Sequence, residues 1–299
     1  MAIINDSLAY AVGAVYLTDS LGNPDPNAYN LAKWNGNNWQ LLRIEFLTFC
    51  GQSGTTSAPA EAIWCFNDSD VWIASSNSQI TTWNGKSQGA ITCLPVSVSK
   101  LWAVNKNAVY TVGPLGQIGY YDGSTWTKLE SGTTVDLQDV WGTSDGKTVW
   151  ACGYSIDLSQ SCLLQFNGTS WKSLWSRQGV TTPPYGSLVL TIWSGEKNLY
   201  VGAAGIFRSS VSGGDSPQEM IPLAYVPHRI RGSAENNIAV ASDDGTVWHY
   251  NGLTWFEEQM PGLSKPLYSI AVSANLVVAV GFDATGTDVK GRILLGRRE

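Results

Sequence analysis

Apolar and polar positions alternate in short runs along the chain, and no stretch keeps the three-and-four spacing of an amphipathic helix. Residues 137–143, 148–153, 162–167 and 170–175 show the pattern most fully. Each reads as a strand, and short polar or Gly-containing segments separate them. Sets of four such strands recur about every forty residues, which predicts an all-β chain of repeated antiparallel units.

Two motifs carry the repeat. The first is an aromatic residue followed by Asn or Asp, Gly, two further residues and Trp. It occurs as Trp34-Asn35-Gly36 with Trp39, Tyr121-Asp122-Gly123 with Trp126, Phe166-Asn167-Gly168 with Trp171, and Tyr250-Asn251-Gly252 with Trp255. Trp83-Asn84-Gly85 lacks the trailing Trp. Asn-Gly and Asp-Gly between apolar strands are hairpin signals, because both central turn positions favour positive φ. The second motif opens each unit with two residues seven to nine apart: Trp64 and Trp72, Trp102 and Tyr110, Trp141 and Trp150, Trp193 and Tyr200. Arg231 with Ala239 and Ala271 with Val278 are worn copies, and Ala2 with Tyr10 keeps the register.

The starts at Ala2, Trp64, Trp102, Trp141, Trp193, Arg231 and Ala271 give seven units, 38–62 residues apart. The expected fold is one seven-bladed β-propeller, with blades near 1–48, 61–95, 98–131, 137–176, 188–222, 228–260 and 267–299. A blade apolar on both faces cannot bury either alone, so ringing the blades puts the aromatics into the seams. At roughly 25 cal/mol per Å², a Trp burying on the order of 200 Å² contributes about 5 kcal/mol before entropy costs. The seventh unit has no fourth strand, so a three-stranded last blade is expected, its outer edge exposed or blunted by Arg297 and Arg298.

Composition narrows the class. Of 299 residues, 14 are Trp, 12 Tyr, 7 Phe and 31 Gly, and only 14% are charged. That excludes a coiled coil and a disordered chain. A net charge of −6 with no basic stripe argues against nucleic acid as a partner. No apolar run reaches the roughly 18–20 residues of a membrane-spanning helix. Met1 stands where the first strand of a unit should begin, so an export signal or anchor is expected to have preceded it, and an exported or cell-surface location with it.

The repeat resembles that of bacterial seven-bladed propellers whose units read roughly Val-Trp-Ala-Val-Gly, a short loop, then the aromatic-Asn/Asp-Gly-x-x-Trp hairpin. The match covers nearly the whole chain and is weakest in the fifth unit and the end of the seventh. Such proteins are often exported and lack an assigned activity, so the resemblance implies a fold and little chemistry. WD-repeat proteins fit less well, because the Gly-His and Trp-Asp dipeptides are missing.

Loop lengths give the functional clue. Turns between strands one and two, and three and four, are mostly short. The long segments, 16–30, 50–60, 154–161, 176–188 and 282–291, join strands two to three or one blade to the next. Up-and-down winding puts both connection types on one rim, where binding residues tend to stand. Tyr16, Tyr29, Tyr154, Trp175, Arg177 and Tyr185 are the ligand-binding candidates there, with packing of the loops as their other role.

Catalytic signatures are missing: no Gly-x-Ser-x-Gly elbow, His-Glu-x-x-His helix or phosphate loop is present. Of the two His, His249 lies in a strand pattern, and His228 follows Pro227 at a blade entrance without an identifiable carboxylate partner. Residues 242–248 resemble the Asp box of sialidase-type propellers but place Gly directly after Asp, as a plain turn does. The acids fall mainly in short turns, whereas a glycosidase needs paired carboxylates at one site. Asp283 and Asp288 are a weak calcium signal.

Five Cys show no zinc spacing. Aligning the units sets Cys152 and Cys162 across a hairpin, where they either form a disulfide stapling 154–161 or remain thiols. The expected protein is a monomeric, non-catalytic binding or scaffold module without cofactor or metal, engaging a protein or glycan through the long-loop rim. A lectin is the alternative and a glycoside hydrolase the weaker one.

Overall fold

Seven meandering sheets form, and each buries its two faces against its neighbours. In the computed structural model, residues 1–23, 25–178, 185, 188–212, 219–258, 265–285 and 288–297 are described. Blade 1 comprises Ala2–Asn5, Leu8–Val15, Tyr29–Trp34 and Trp39–Leu42, from the axis outward. Blade 2 is Ala60–Asn67, Asp70–Ser75, Gln79–Trp83 and Thr92–Cys93. Blade 3 is Lys100–Asn105, Ala108–Val112, Ile118–Tyr121 and Trp126–Leu129, and blade 4 Leu137–Gly142, Val149–Tyr154, Gln160–Phe166 and Trp171–Gln178. Blade 5 is Thr191–Ser194, Asn198–Gly202, Ile206–Ser210 and Glu219–Ile221. Blade 6 is Pro227–Ala234, Asn237–Ser242, Val247–Tyr250 and Trp255–Glu258. Blade 7 has three strands, Leu267–Val272, Leu276–Thr285 and Asp288–Arg297. The chain is a seven-bladed β-propeller with a three-stranded last blade.

The core is divided among the seams, one apolar cluster for each of the seven, including the one between blades 7 and 1. None of the 14 Trp is exposed. Among the described residues no strand is exchanged to close the ring. Leu276 and Val278 pack on Ala9 and Trp34 at that last seam, Asn275 donates to Asp6 (2.8 Å), and Arg297 donates to the Gly36 carbonyl (3.2 Å). Arg298 lies outside the described residues.

The Asx-Gly turns hold by a different chemistry from the expected one. Gly36, Gly85, Gly123, Gly168 and Gly252 all have positive φ, between 88° and 97°, but the residue before each does not. That Asn or Asp acts through its side chain. Asn35 Oδ1 accepts from the amides of Asn37 and Asn38, and Asn84, Asp122, Asn167 and Asn251 repeat the pattern. The aromatic before the turn then packs on the trailing Trp directly across the ladder, at 5.0–5.6 Å in the four full copies.

Blade 2 lacks that trailing Trp, and its outer strand is only Thr92–Cys93. A small hairpin, Phe46–Leu47 with Thr55–Thr56, covers the place. Gln79 and Gln88 clamp it by imitating ladder hydrogen bonds. Each accepts from and donates to one backbone residue, Leu47 and Glu45 respectively, at 2.6–2.8 Å. A disulfide between Cys50 and Cys93 completes the attachment. Cys152 and Cys162 are free thiols, so of the two alternatives the disulfide does not form. The reason is parity. Cys152 pairs with Leu163 and Cys162 with Gly153, so the two side chains leave opposite faces of the sheet. Cys152 enters the seam with blade 5 and Cys162 the seam with blade 3.

Close backbone approach fixes glycine where the chain enters a blade. A Cβ on Gly153 would stand 1.9 Å from the Asp136 carbonyl oxygen; Gly113 and Gly281 meet the same obstacle at 2.1 Å. Gly153→Ala is expected to destabilise by about 1–3 kcal/mol, since a backbone atom rather than a side chain must yield. Gly13→Ala, with open space around it, should stay within about 0.5 kcal/mol in the same urea unfolding experiment.

Candidate functional site

Long connections do gather on one rim, with two corrections. The 282–291 segment is a paired hairpin rather than a loop, since Phe282 to Thr285 ladder onto Gly291 to Asp288. The connection between Ser210 and Glu219 is long but belongs to the opposite rim. Most of the 176–188 segment, residues 179–184 and 186–187, lies outside the described residues.

The six candidates do not form one site. Tyr16 and Tyr29 belong to blade 1, the other four to blades 4 and 5, across the ring. Tyr16 is exposed. The Arg43 guanidinium covers the Tyr29 ring at 4.0 Å and pairs with Asp25. Trp175 packs edge-on against Tyr185 (5.4 Å), which is buried against Phe207 (5.1 Å). Arg177 Nη1 donates to the Leu158 carbonyl (3.2 Å) and ties 154–161 to the blade. Tyr154 ends the second strand of blade 4, half-buried, its amide on the Asp136 carbonyl. Asp283 is held by Arg292 (2.8 Å), so the pairing proposed with Asp288 is already taken up on one side. Among the described residues no group of three metal-ligating side chains occurs.

Charged and aromatic side chains concentrate instead on the innermost strands. Their register places Ala2, Trp64, Trp102, Trp141, Trp193, Arg231 and Ala271 at equivalent positions of the seven blades. Trp64, Trp102 and Trp141 meet at 5.7–6.5 Å, and the Arg231 guanidinium lies over Trp141 at 4.6 Å. Trp64 and Trp141 come from blades separated by a third, so these rings converge toward the axis and narrow the channel.

Two residues earlier, the same register gives Ala62, Lys100, Asp139, Thr191, Arg229 and Ser269. Asp139 is fully buried and accepts from both Arg231 Nη atoms (2.7 and 3.0 Å), Thr191 Oγ1 (2.7 Å) and the Ile192 amide (3.0 Å). Arg229 pairs with it at 2.9 Å. Burial alone would push the Asp139 carboxyl up, but Arg229 and Arg231 outweigh it and hold the group well below the usual carboxylate range. A carboxylate so engaged locks blades 4, 5 and 6 together and is unavailable as an acid or base. The signal was present in the sequence: in blades 3 to 7 the residue two before the opening position is polar or charged.

Just above this layer the inner strands of blades 2, 4, 6 and 7 bulge at the same step, at Glu61, Gln138, His228 and Tyr268. A bulge re-aims its residue, and this step lies at the end of each inner strand nearest the long-loop rim. His228 contacts Tyr268 (5.0 Å), and Tyr268 stacks on Phe282 at 5.1 Å with an interplanar angle of 15°. Tyr268 and Phe282 are 40% and 43% exposed, so a stacked aromatic platform faces solvent. Burial lowers the His228 pKa, which keeps the ring neutral near pH 7. His249 is structural, bonded to Asn237 Oδ1 at 2.8 Å.

No protein-family model and no curated protein sequence matches this chain. Solved structures of similar fold do. A structure described as "YCF48 bound to D1 peptide" is 14% identical with a TM-score of 0.63, over 99% of this chain and 90% of that one. The computationally designed Ika8 protein is 15% identical with a TM-score of 0.57, over 98% and 95%. The Cps50 (Swd1) β-propeller domain of Myceliophteria thermophila is 11% identical with a TM-score of 0.61, over 90% and 93%. At these identities the likeness is one of fold alone.

Proposed function

We propose that this propeller is a non-catalytic binding module that takes a segment of another protein on its long-loop rim, over the channel mouth. The exposed stack of Tyr268 on Phe282, extended by the neutral ring of His228, carries the reading. Exposed, pre-stacked aromatics lose little conformational freedom on contact and offer large amphipathic area. The Trp cluster and the Asp139 clamp beneath make the floor of the mouth rigid. The propeller described as bound to a D1 peptide supports the peptide class, since a fold of this kind can take a peptide. An exported location fits the Cys50–Cys93 disulfide, a bond kept in oxidising compartments.

A coplanar aromatic pair also suits the face of a sugar, so the experiment compares the two chemistries. Wild type and Tyr268→Ala are applied to a peptide array and a glycan array. Saturable peptide binding that falls at least tenfold in Tyr268→Ala is the expected result, with unfolding stability within about 1 kcal/mol of wild type. Glycan binding lost on the same substitution would replace the peptide reading by the lectin one. Binding untouched by Tyr268→Ala and by Phe282→Ala would remove the site from the mouth.

A further inference from the structure

The channel carries more positive charge than its one buried acid can balance. Lys100, Arg229 and Arg231 converge on Asp139, three cations on a single carboxylate. Asp139 is committed to the two arginines, and Lys100 forms no ion pair among the described residues. Lys100 is nevertheless 92% buried, since its relative exposure is 8%. The Arg229 Nε is also buried and has no hydrogen-bond partner. The remaining positions of the layer, Ala62, Thr191 and Ser269, bring no charge. Cys65 brings none either: burial pushes its thiol up to about 12, so it stays protonated. Glu61 stands one step toward the rim on an exposed bulge.

Against this excess lies a cavity of about 140 Å³, lined by Lys100, Arg231, Trp64, Trp141 and Met1, whose buried α-amine is a further basic group beside Lys100, Arg229 and Arg231. At about 30 Å³ per water the space holds a handful of waters, or one ion of a few heavy atoms. We infer that the central channel is a binding site for a small oxyanion, a carboxylate or inorganic phosphate, held by Lys100 and Arg231 beside the buried Asp139 clamp. An unpaired ammonium taken out of water is costly, and an anion in the adjacent cavity supplies the missing counter-charge. Without it, burial and the two neighbouring guanidiniums pull the Lys100 ammonium well below its usual value. The site is separate from the aromatic mouth and does not depend on the peptide reading.

The test is the melting temperature of the wild type, Lys100→Met and the surface control Lys86→Met, titrated with sodium acetate and with sodium phosphate at constant ionic strength. One of the two anions should raise the wild-type and Lys86→Met midpoints saturably, by about 4 °C at a hundredfold excess over the dissociation constant. Lys100→Met should show no dose response, whatever its starting midpoint. Acetate or phosphate as the effective ion identifies the source of the oxyanion. Tryptophan fluorescence of the wild type gives a second reading, because Trp64 and Trp141 line the cavity. An equal rise in Lys100→Met, or no saturable change in wild-type midpoint and fluorescence with either ion, overturns the inference.

Discussion

Asp139→Asn is expected to cost about 3–5 kcal/mol of unfolding free energy, because it leaves buried cations without their counter-charge. In a chain of this size that lowers the melting temperature by roughly 5–10 °C. Asn keeps the size of the side chain and part of its hydrogen bonding, so the loss reports charge rather than a cavity. Removing one cation in the same background, as Asp139→Asn with Arg231→Met, should recover part of the loss, and the double-mutant cycle measures the coupling. The pH dependence provides a second check. The folded carboxyl lies below its unfolded value of about 3.9, so its contribution is complete above that value and is lost as pH falls toward the folded one. Wild type should therefore lose stability more steeply than Asp139→Asn below about pH 4. Parallel acid limbs would mean that the clamp does not stabilise the ring.

Loss of the Cys50–Cys93 bridge is the second large effect. It joins residues 43 apart, and cross-links of that span typically stabilise by about 2–4 kcal/mol by restricting the unfolded chain. The double substitution Cys50→Ser with Cys93→Ser should lower the urea midpoint accordingly. It should also open the tip of the hairpin at 46–56 to proteolysis, since Gln79, Gln88 and the buried Phe46 hold its base while nothing then anchors Cys50 to blade 2. Cys152→Ser with Cys162→Ser carries no cross-link to lose; any destabilisation there comes from placing two hydroxyls in apolar seams. A non-reducing peptide map checks the assignment directly. A peptide linking Cys50 to Cys93 is expected, and one linking Cys152 to Cys162 would contradict the strand register itself.

The ring was legible in the sequence because its signals are local. An Asx residue that binds amides two and three ahead, a Gly at positive φ and a Trp stacking back across the turn lie within six residues of one another. Seven spaced inner-strand positions then count the blades. The expected positive φ at Asn35 and its counterparts was wrong in detail, yet the hairpins were placed correctly, because the side-chain hydrogen bonds serve the same turn.

What the sequence left open depends on parity and convergence. Whether Cys152 and Cys162 meet turns on a one-residue offset in the ladder, and such an offset sends side chains to opposite faces. Cys50 and Cys93 meet because an inter-blade hairpin folds back over a short outer strand, a contact with no periodic trace. Lys100, Asp139 and Arg229 do occupy matching places in their units, with Arg231 two residues on, but as a list they are only four charged residues on three strands. Closing the ring brings them to one axis, out of water, where burial turns their charges into a clamp and a cationic cavity. Likewise His228, Tyr268 and Phe282 become a platform only once bulges re-aim the first two and blade 7 supplies the third. The sequence by itself determined the repeat, the strand count and the rim of long loops, since each is written within a single unit; the tertiary structure alone decided the cross-link, the clamp and the mouth, since each is made where separate units meet.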